Sequence, residues 1–234
     1  MRKLHRLTAT MALLTVIIVA CGETASDDSP PETLTVIAHD SFASAAAEIG
    51  AFDGFTEETG IGVEVIAAGD AGSLVNQAVL TKDNPLADVL FGVDDTFLTR
   101  ALDEEIFVSY RASLADTVDD ALLREDDLVT PIDFGDVCIN YDKQWFDDTG
   151  TPIPSDLDDL RDPDLSRQLT VEHPATSSPG LAFMFATIEE FGEPGWLDFW
   201  ADLRDGQVNV VSDWDSAYYG AFIPYGGQSS MVVS

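Results

Sequence analysis

The chain has 234 residues, 45% of them hydrophobic, which is enough for one large domain or two small ones with buried cores. Acidic residues number 43 against 11 basic ones, and the formal net charge is −32 at pH 7. A field of this sign repels polyanions, which excludes nucleic acid as a partner, and it favours cationic small ligands. Adaptation to salt would produce the same surface, so the charge alone identifies no ligand.

The first twenty residues have the pattern of a secretory signal peptide. Basic side chains are followed by an apolar stretch, 11–20, that is too short to span a bilayer. Its last residues, Ile18, Val19 and Ala20, directly precede Cys21, and this pattern resembles the lipobox of bacterial lipoproteins. The resemblance implies cleavage before Cys21 and a lipid that anchors the protein to the outer face of the cell membrane. The alternative is ordinary secretion.

A polar segment separates this region from the first predicted strand. Residues 21–33 are rich in Pro, Ser and acidic side chains, which predicts a lipid-anchored flexible tether. The second cysteine is Cys138, which has no cysteine partner if Cys21 carries lipid. We therefore expect no intrachain disulfide.

Strand and helix patterns alternate after the tether. Strands are predicted at 34–38, 63–68 and 88–93, and helices at 43–59, 74–81 and 97–102. This alternation favours an α/β domain with a largely parallel sheet.

The second half predicts a further α/β unit. Residues 115–128 are acidic and predict a solvated helical face, and 131–141 is an extended stretch that suits a crossover. Strands are predicted at 169–172, 208–212 and 231–234, with a helix at 180–191. The last of these strands has a core pattern and no polar tail after it, which predicts a fragment or an incomplete gene model.

Loops that follow predicted strands are the candidate ligand-binding segments, because ligands bind beyond the carboxyl ends of strands in open α/β sheets. These loops are 39–41, 69–73, 176–180 and 213–215. The second and third open helices, so their backbone N–H groups suit a polar or anionic ligand group, although Asp and Ser there are also ordinary helix caps. Trp214 lies among polar residues and either stacks on a ligand or packs into the core.

Patterns for catalysis and metal binding are sparse. The sequence has no Gly-x-Ser-x-Gly elbow, no zinc-spaced Cys and His, and no phosphate-binding Gly-x-x-x-x-Gly-Lys, so no cofactor and no metal are expected. A hydrolase built from Ser41, His39 and Asp70 stays an alternative. Tyr218 and Tyr219, with His39, resemble the ferric-ion site of iron-binding periplasmic proteins, and a ferric-ion-binding protein is the other alternative.

Taken in order, six segments resemble the thiamine-binding proteins of bacterial ABC importers, which have the type 2 periplasmic binding fold. The matching segments are 34–42, 69–76, 87–94, 131–143, 174–181 and 214–218. The most specific pieces are Thr-Ser-Ser-Pro-Gly-Leu in the fifth segment and Trp-x-x-Ala-Tyr in the sixth.

The resemblance implies two α/β lobes with hinge strands between them and a ligand clamped by closure. The implied division is a signal peptide at 1–20, the tether at 21–33, lobe 1 at 34–131, a hinge crossover at 132–141 and lobe 2 at 142–234. Lobe 2 is expected to be truncated, because the family continues past the serine that Ser234 matches. The implied protein is not an enzyme; it captures thiamine or its phosphates for ABC permease subunits.

The resemblance also assigns ligand-binding residues. Asp70 would face the cationic or amino part of thiamine, Ser177 and Ser178 would meet its hydroxyethyl or phosphate end, and Trp214 would stack on a ring. The same motifs add these positions: His39, Asp40, Ala71 and Tyr218. Because His39 stands where the family usually has tyrosine, the wall of the first lobe is expected to differ.

Overall fold

The computed structural model of the protein describes residues 33–113, 115–119, 122–123 and 126–234. The predicted signal peptide, Cys21 and nearly all of the predicted tether lie outside the described residues. In the described part of the chain, no helix is both long enough and apolar enough to cross a membrane.

The first sheet uses the strands predicted in the first half of the chain: β1 (Thr33–Ala38), β2 (Gly62–Ala67) and β3 (Val89–Phe91). Their order is β2-β1-β3 and both pairs are parallel. The helices of this half are α1 (Asp40–Ile49), α2 (Asp53–Thr59), α3 (Ala71–Leu80) and α4 (Asp95–Asp103). The predicted parallel α/β arrangement is confirmed, and this sheet with α1–α4 is called the first lobe below.

The single helix predicted over 43–59 is wrong, because this segment forms both α1 and α2. Helix α1 ends at Gly50, whose φ of 61° lies in the left-handed region that favours glycine. Helix α3 begins earlier than predicted, at Ala71, because the carboxylate of Asp70 accepts the N–H of Ala71 at 3.3 Å.

The helical face predicted over 115–128 is also wrong for the residues described there. They form one 3-10 turn, Ala115–Thr117, and otherwise irregular chain. Arg111 pairs with Asp116 at 2.7 Å and with Asp127 at 3.0 Å, which ties the loop together without helical structure. Because aspartate has a low intrinsic preference for helix interiors, an acidic pattern alone does not sustain a helix here.

The second sheet contains β4 (Ile139–Tyr141), β5 (Leu169–Glu172), β6 (Asn209–Val211) and β7 (Met231–Val233), in the order β4-β7-β5-β6. Strand β7 is antiparallel to β4 and parallel to β5, so it lies inside the sheet, and all its residues are buried. The core strand predicted at the end of the sequence is thereby confirmed.

Helices and turns complete the second lobe, the name used here for the second sheet and the elements around it. They are α5 (Lys143–Thr149), α6 (Pro163–Ser166), α7 (Ser178–Asp205), a π-helix (Ser216–Ala221) and the 3-10 turns Asp158–Arg161 and Ile223–Tyr225. Helix α7 extends the predicted helix beyond a non-helical step at Gly192 and Glu193. Phe199 and Leu203 of α7 are fully buried against β5 and form the core of this lobe.

The two lobes touch where α3 begins. The N–H groups of Gly72 and Ser73 donate to the carbonyl of Thr176 at 2.9 and 3.4 Å. These donors lie in the first helical turn and have no acceptor within the helix, so the second lobe supplies it. A Cβ on Gly72 would lie 2.7 Å from the carbonyl oxygen of Ala175 and 2.7 Å from the ring of Phe97. The close approach of the lobes therefore requires glycine at this position.

Replacing Gly72 by alanine is expected to lower the free energy of unfolding by about 1–3 kcal/mol, because the methyl group must displace backbone of the other lobe. Urea denaturation measures the change. The matched control is Gly54→Ala on the exposed side of α2, where no atom lies within 4 Å of the added Cβ and stability should be unchanged or higher. Equal unfolding midpoints for the two variants would contradict the interpretation of Gly72.

Candidate ligand-binding site

The predicted ligand-binding residues meet at the junction of the two lobes. The carboxyl ends of β1 and β2 carry loops 39–41 and 69–73, and those of β5 and β6 carry loops 173–178 and 212–215. Because these ends face the junction, residues far apart in the sequence come together there. We call this group of loops the junction site.

Asp70 connects the two lobes through its carboxylate. One oxygen, Oδ1, accepts the N–H of Ala71 in its own helix, and the other, Oδ2, accepts the backbone N–H of Trp214 in the second lobe at 3.1 Å. A carboxylate offers about four lone-pair sites, so Asp70 keeps acceptor capacity for a further donor or a nearby cation. The sequence predicted a ligand-facing role for Asp70 but not this contact.

The end of β1 is held rigidly beside Asp70. Asp40 accepts the N–H of Gly69 at 2.7 Å and returns a bond from its own N–H to the Gly69 carbonyl at 3.0 Å. His39 caps α1, because its Nδ1 accepts the N–H of Phe42 at 3.3 Å and lies 2.9 Å from the hydroxyl of Ser41. A Cβ on Gly92, whose φ is 104°, would fall 2.2 Å from the His39 ring, so the histidine is also fixed from the side.

Trp214 belongs to an aromatic cluster on the second lobe. Its ring stacks on Tyr218 with centroids 4.9 Å apart and an interplanar angle of 14°, and the edge of Tyr219 meets it at 5.3 Å. The indole N–H donates to the hydroxyl of Ser234 at 2.8 Å. Trp214 is half-buried, and its orientation is set by these contacts. A flat ligand that stacks on it would use the ring face opposite Tyr218.

Loop 173–178 carries the two serines that were predicted to bind the ligand, and both are buried. Ser177 is fully buried, and its hydroxyl has no hydrogen-bond partner among the described residues. Ser178 begins α7 and is also buried. The loop is held by Thr176, whose hydroxyl donates to the carbonyl of Ser212 at 2.6 Å. Ala71 is likewise buried, so it contributes its position in α3 rather than an exposed surface.

Glu172 is a candidate residue that the sequence analysis did not single out. It ends β5, is 0% exposed, and neither carboxyl oxygen has a hydrogen-bond partner on another described residue. The pKa of Glu172 is raised to about 8. Burial is the main cause and the charges of Asp70 and Asp213 act in the same direction, whereas a hydrogen bond from its own backbone N–H lowers the pKa. The available sequence signal was an acid that closes the short strand Leu-Thr-Val-Glu.

Two more carboxylates complete an acidic cluster at the junction site. Burial raises the pKa of Asp215, and the charges of Asp40, Asp213 and Asp70 act in the same direction, while His39 opposes them. Burial acts to raise the pKa of Asp213 as well, but hydrogen bonds from Ser212 and Ser216 outweigh it and leave that pKa below its ordinary value. Negative charge from both lobes is therefore concentrated here.

The residues predicted for the hydrolase alternative, and those predicted for the ferric-ion alternative, do not make the contacts that these sites require. His39 does contact Ser41, but the hydrogen bonds of Asp70 go to Ala71 and Trp214, so no Ser-His-Asp chain forms. Tyr218 stacks on Trp214, whereas the ring contacts of His39 are with Phe42 and Phe91, so the histidine and the tyrosine of the ferric-ion alternative have no ring contact with each other. Across the described ranges, no group of three or more His, Cys, Asp or Glu could hold a metal ion.

A cavity of about 340 Å³ lies next to the aromatic cluster. It is bounded by β4, by the start of α5 and by Tyr218, Phe222 and Tyr225. Tyr218 thus belongs to both the cavity wall and the ring stack on Trp214. Open space therefore adjoins the junction site on the side of the second lobe.

Comparison with known proteins assigns the chain to a class. The sequence profile of the family described as "Bacterial extracellular solute-binding protein" matches residues 84–226, more than half of the chain. The chain therefore belongs to this family of extracellular solute-binding proteins.

Particular relatives extend the comparison. The thiamine-binding periplasmic protein of Brucella suis biovar 1 (strain 1330) is 26% identical over 228 residues, covering 96% of this chain and 65% of the relative. That of Escherichia coli (strain K12) is 28% identical over 205 residues, covering 86% of this chain and 59% of the relative. The solved structure of a periplasmic thiamin binding protein superimposes with a TM-score of 0.75 at 27% identity, over 90% of this chain and 63% of that chain.

These likenesses confirm the predicted α/β fold of the two-lobed periplasmic binding type. This chain spans less than two thirds of the length of these relatives.

Replacing Glu172 by glutamine is expected to stabilise the protein more at pH 8 than at pH 5. Between the ordinary pKa of 4.5 and about 8 the unfolded chain loses the Glu172 proton while the folded chain keeps it, so stability falls as pH rises through this window. The variant lacks this loss, which predicts a gain of roughly 2–4 kcal/mol at pH 8 relative to pH 5.

Urea denaturation of both proteins at the two pH values measures this difference. The exposed Glu64 of β2 supplies the control variant Glu64→Gln, whose stability relative to the parent should be the same at both pH values. An increase in the stability of Glu172→Gln that is the same at both pH values would contradict a raised pKa of Glu172 in the folded protein.

Proposed function

We propose that this protein is an extracytoplasmic solute-binding protein that captures thiamine, or thiamine phosphates, and delivers it to the permease subunits of an ABC importer. It carries out no reaction on the ligand. The observation that carries the proposal is the direct contact between Asp70 of the first lobe and Trp214 of the second, at 3.1 Å. The carboxylate of one lobe is thereby fixed to the backbone of the residue that carries an aromatic ring on the other lobe.

The chemistry of thiamine suits this pair. The thiazolium ring bears a permanent positive charge, and the aminopyrimidine ring is flat and carries N–H donors. Asp70 can accept a donor or balance the cation, and the exposed face of Trp214 can stack on either ring. Support from outside the structure comes from the relatives named as thiamine-binding, which match this chain over both lobes.

The proposed binding step is a closure of the two lobes on the ligand. The predicted division gives lobe 1 as 34–131, the crossover as 132–141 and lobe 2 as 142–234. The end of this crossover, β4, is a strand of the second sheet. The contacts of Asp70 with Trp214, and of Gly72 with Thr176, would hold the lobes together in the closed arrangement. The predicted ligand-binding residues would line that boundary: His39, Asp40, Ala71, Ser177, Ser178 and Tyr218.

Attachment to the membrane forms part of the proposal. Residues 1–20 would direct export, lipid on Cys21 would hold the mature protein at the outer face of the cell membrane, and 21–33 would let the lobes move near the permease. The periplasmic location named for the relatives is consistent with an extracytoplasmic protein.

Thiamine is expected to quench the intrinsic tryptophan fluorescence of the protein, because stacking on Trp214 changes the surroundings of that ring. Asp70→Asn and Trp214→Ala should each weaken binding at least about tenfold, which corresponds to about 1.4 kcal/mol. Calorimetric titration checks the affinity directly. Trp196→Phe is the control, because Trp196 bonds to Glu193 away from the junction and its loss should leave the affinity unchanged.

Other ligands separate the alternatives. A visible absorption band on addition of ferric ion, without any response to thiamine, would support the iron-binding alternative. Turnover of ester substrates that is lost in Ser41→Ala would support the hydrolase. Either result would overturn the proposed function.

Expression of the full sequence in a bacterium is expected to yield a membrane-associated protein that partitions into detergent and has a lipid-modified Cys21 by mass spectrometry. Cys21→Ser should abolish both properties, because no other residue can form the lipidated N-terminus after cleavage. Cys138→Ser is the matched control, since Cys138 is an exposed free cysteine and its loss should leave partitioning unchanged. Unchanged partitioning of Cys21→Ser would refute lipidation.

A further inference from the structure

The residue Trp214 is held at three points by groups that lie far from one another in the structure. The carboxylate of Asp70 accepts its backbone N–H at 3.1 Å, and Tyr218 stacks on one face of its ring with centroids 4.9 Å apart. The indole N–H donates to the hydroxyl of Ser234 at 2.8 Å. The first contact fixes the backbone and the second covers one face, so the third is the contact that fixes the direction of the N–H edge.

The other face of the indole is free of ring contacts in the part of the chain that the structure describes. The centroid of Tyr219 lies 5.3 Å from that of Trp214 and 5.6 Å from that of Tyr218, with interplanar angles of 86° and 83°. A ring this close to both members of the stack lies beside the stack and not on the far face of the indole. The far face is therefore the surface on which a flat ligand can stack.

Ser234 offers its hydroxyl from a fixed position. It directly follows β7, and its N–H donates to the carbonyl of Cys138 at 2.9 Å while its own carbonyl accepts the N–H of Cys138 at 2.7 Å. This doubly bonded pair continues the antiparallel register of β4 with β7, and all of β7 is buried. The acceptor of the indole N–H therefore stands on a rigid element, where a binding side chain is oriented most precisely.

We propose that Ser234 is a positioning residue for ligand binding, which accepts the indole N–H of Trp214 and so holds the free face of that ring ready for the ligand. This inference rests on the proposed function and adds a residue that acts through Trp214. The geometry that carries it is the 2.8 Å bond between a half-buried indole and a hydroxyl fixed in the second sheet. Because the ring is ordered before the ligand arrives, less conformational freedom is lost on binding.

Loss of the Ser234 hydroxyl would leave the indole N–H to water or to a neighbouring carboxylate. Asp213 and Asp215 flank Trp214 in the sequence, and Asp213 already accepts the backbone N–H of Ser216 at 2.8 Å. A ring that turns toward another acceptor must be reoriented by the ligand, and part of the binding free energy is spent on this step. The expected loss is that of one net hydrogen bond, which is about three- to tenfold in affinity.

The test is a double-mutant cycle in the full protein, with thiamine affinity measured by calorimetric titration. Ser234→Ala should weaken binding about three- to tenfold, and Ser234→Thr, which keeps the hydroxyl, should bind within about twofold of the parent protein. Trp214→Phe keeps an aromatic ring but removes the N–H, so adding Ser234→Ala to it should change the affinity less than about twofold. The matched control is Ser155→Ala, which removes an exposed hydroxyl bonded to Asp159 and should leave the affinity unchanged.

A second measurement uses the parent protein without ligand. Nuclear magnetic resonance of the protein with isotope-labelled tryptophan resolves the indole N–H groups, and the signal of Trp214 is the one lost in Trp214→Phe. Its exchange with solvent should be slower than that of Trp196, whose N–H bonds to the exposed Glu193. This result is expected only if the bond to Ser234 forms before the ligand binds.

Each outcome decides between the two proposals. Unchanged affinity in Ser234→Ala, or the same weakening by Ser234→Ala with and without the indole N–H, overturns this inference while the proposed function stands. Rapid exchange of the Trp214 indole N–H in the ligand-free parent protein also overturns it, and this measurement does not require Ser234→Ala to fold. Absence of thiamine binding by the parent protein overturns the proposed function itself.

Discussion

The junction of the two lobes depends on the first turn of α3, because the backbone N–H groups of this turn have their acceptors outside the helix. The N–H groups of Gly72 and Ser73 bond to the Thr176 carbonyl of the other lobe, and the cap of the same turn, Asp70, accepts the N–H of Trp214. A helix start leaves several donors without partners, and an unmet buried donor is costly. This requirement holds the two lobes against each other.

The same contact organises the chemistry of the junction site. Asp70 fixes the backbone of Trp214, and the half-buried indole stacks on Tyr218, which also packs against a buried hydrophobic cluster of the second lobe. The loops after β1, β2, β5 and β6 then add acids from both lobes. Negative charge and aromatic surface are consequently presented together, and this combination attracts an aromatic cation more than either feature alone.

Much of this arrangement could be predicted from the sequence, because it rests on local patterns. The alternation of strands and helices predicts the parallel first sheet, and the motif around Trp214 predicts its place at the site. The bond of Trp214 to Asp70 spans 144 positions in the chain, and no local pattern encodes it. The end of α1 at Gly50 and the burial of Glu172 could not be predicted from the sequence either. The first depends on one backbone angle, and the second depends on which residues cover the end of the strand.

The burial of Glu172 makes the stability of the protein depend on pH. An ionisable group with no partner on another residue weakens the folded state above its ordinary pKa, and a glutamine of similar shape would avoid that cost. Because the pKa of Glu172 is raised to about 8, the folded protein holds this group as the neutral acid near neutral pH. The free-energy cost of burying Glu172 therefore appears as the retention of a proton in the folded state rather than as repulsion among charged carboxylates.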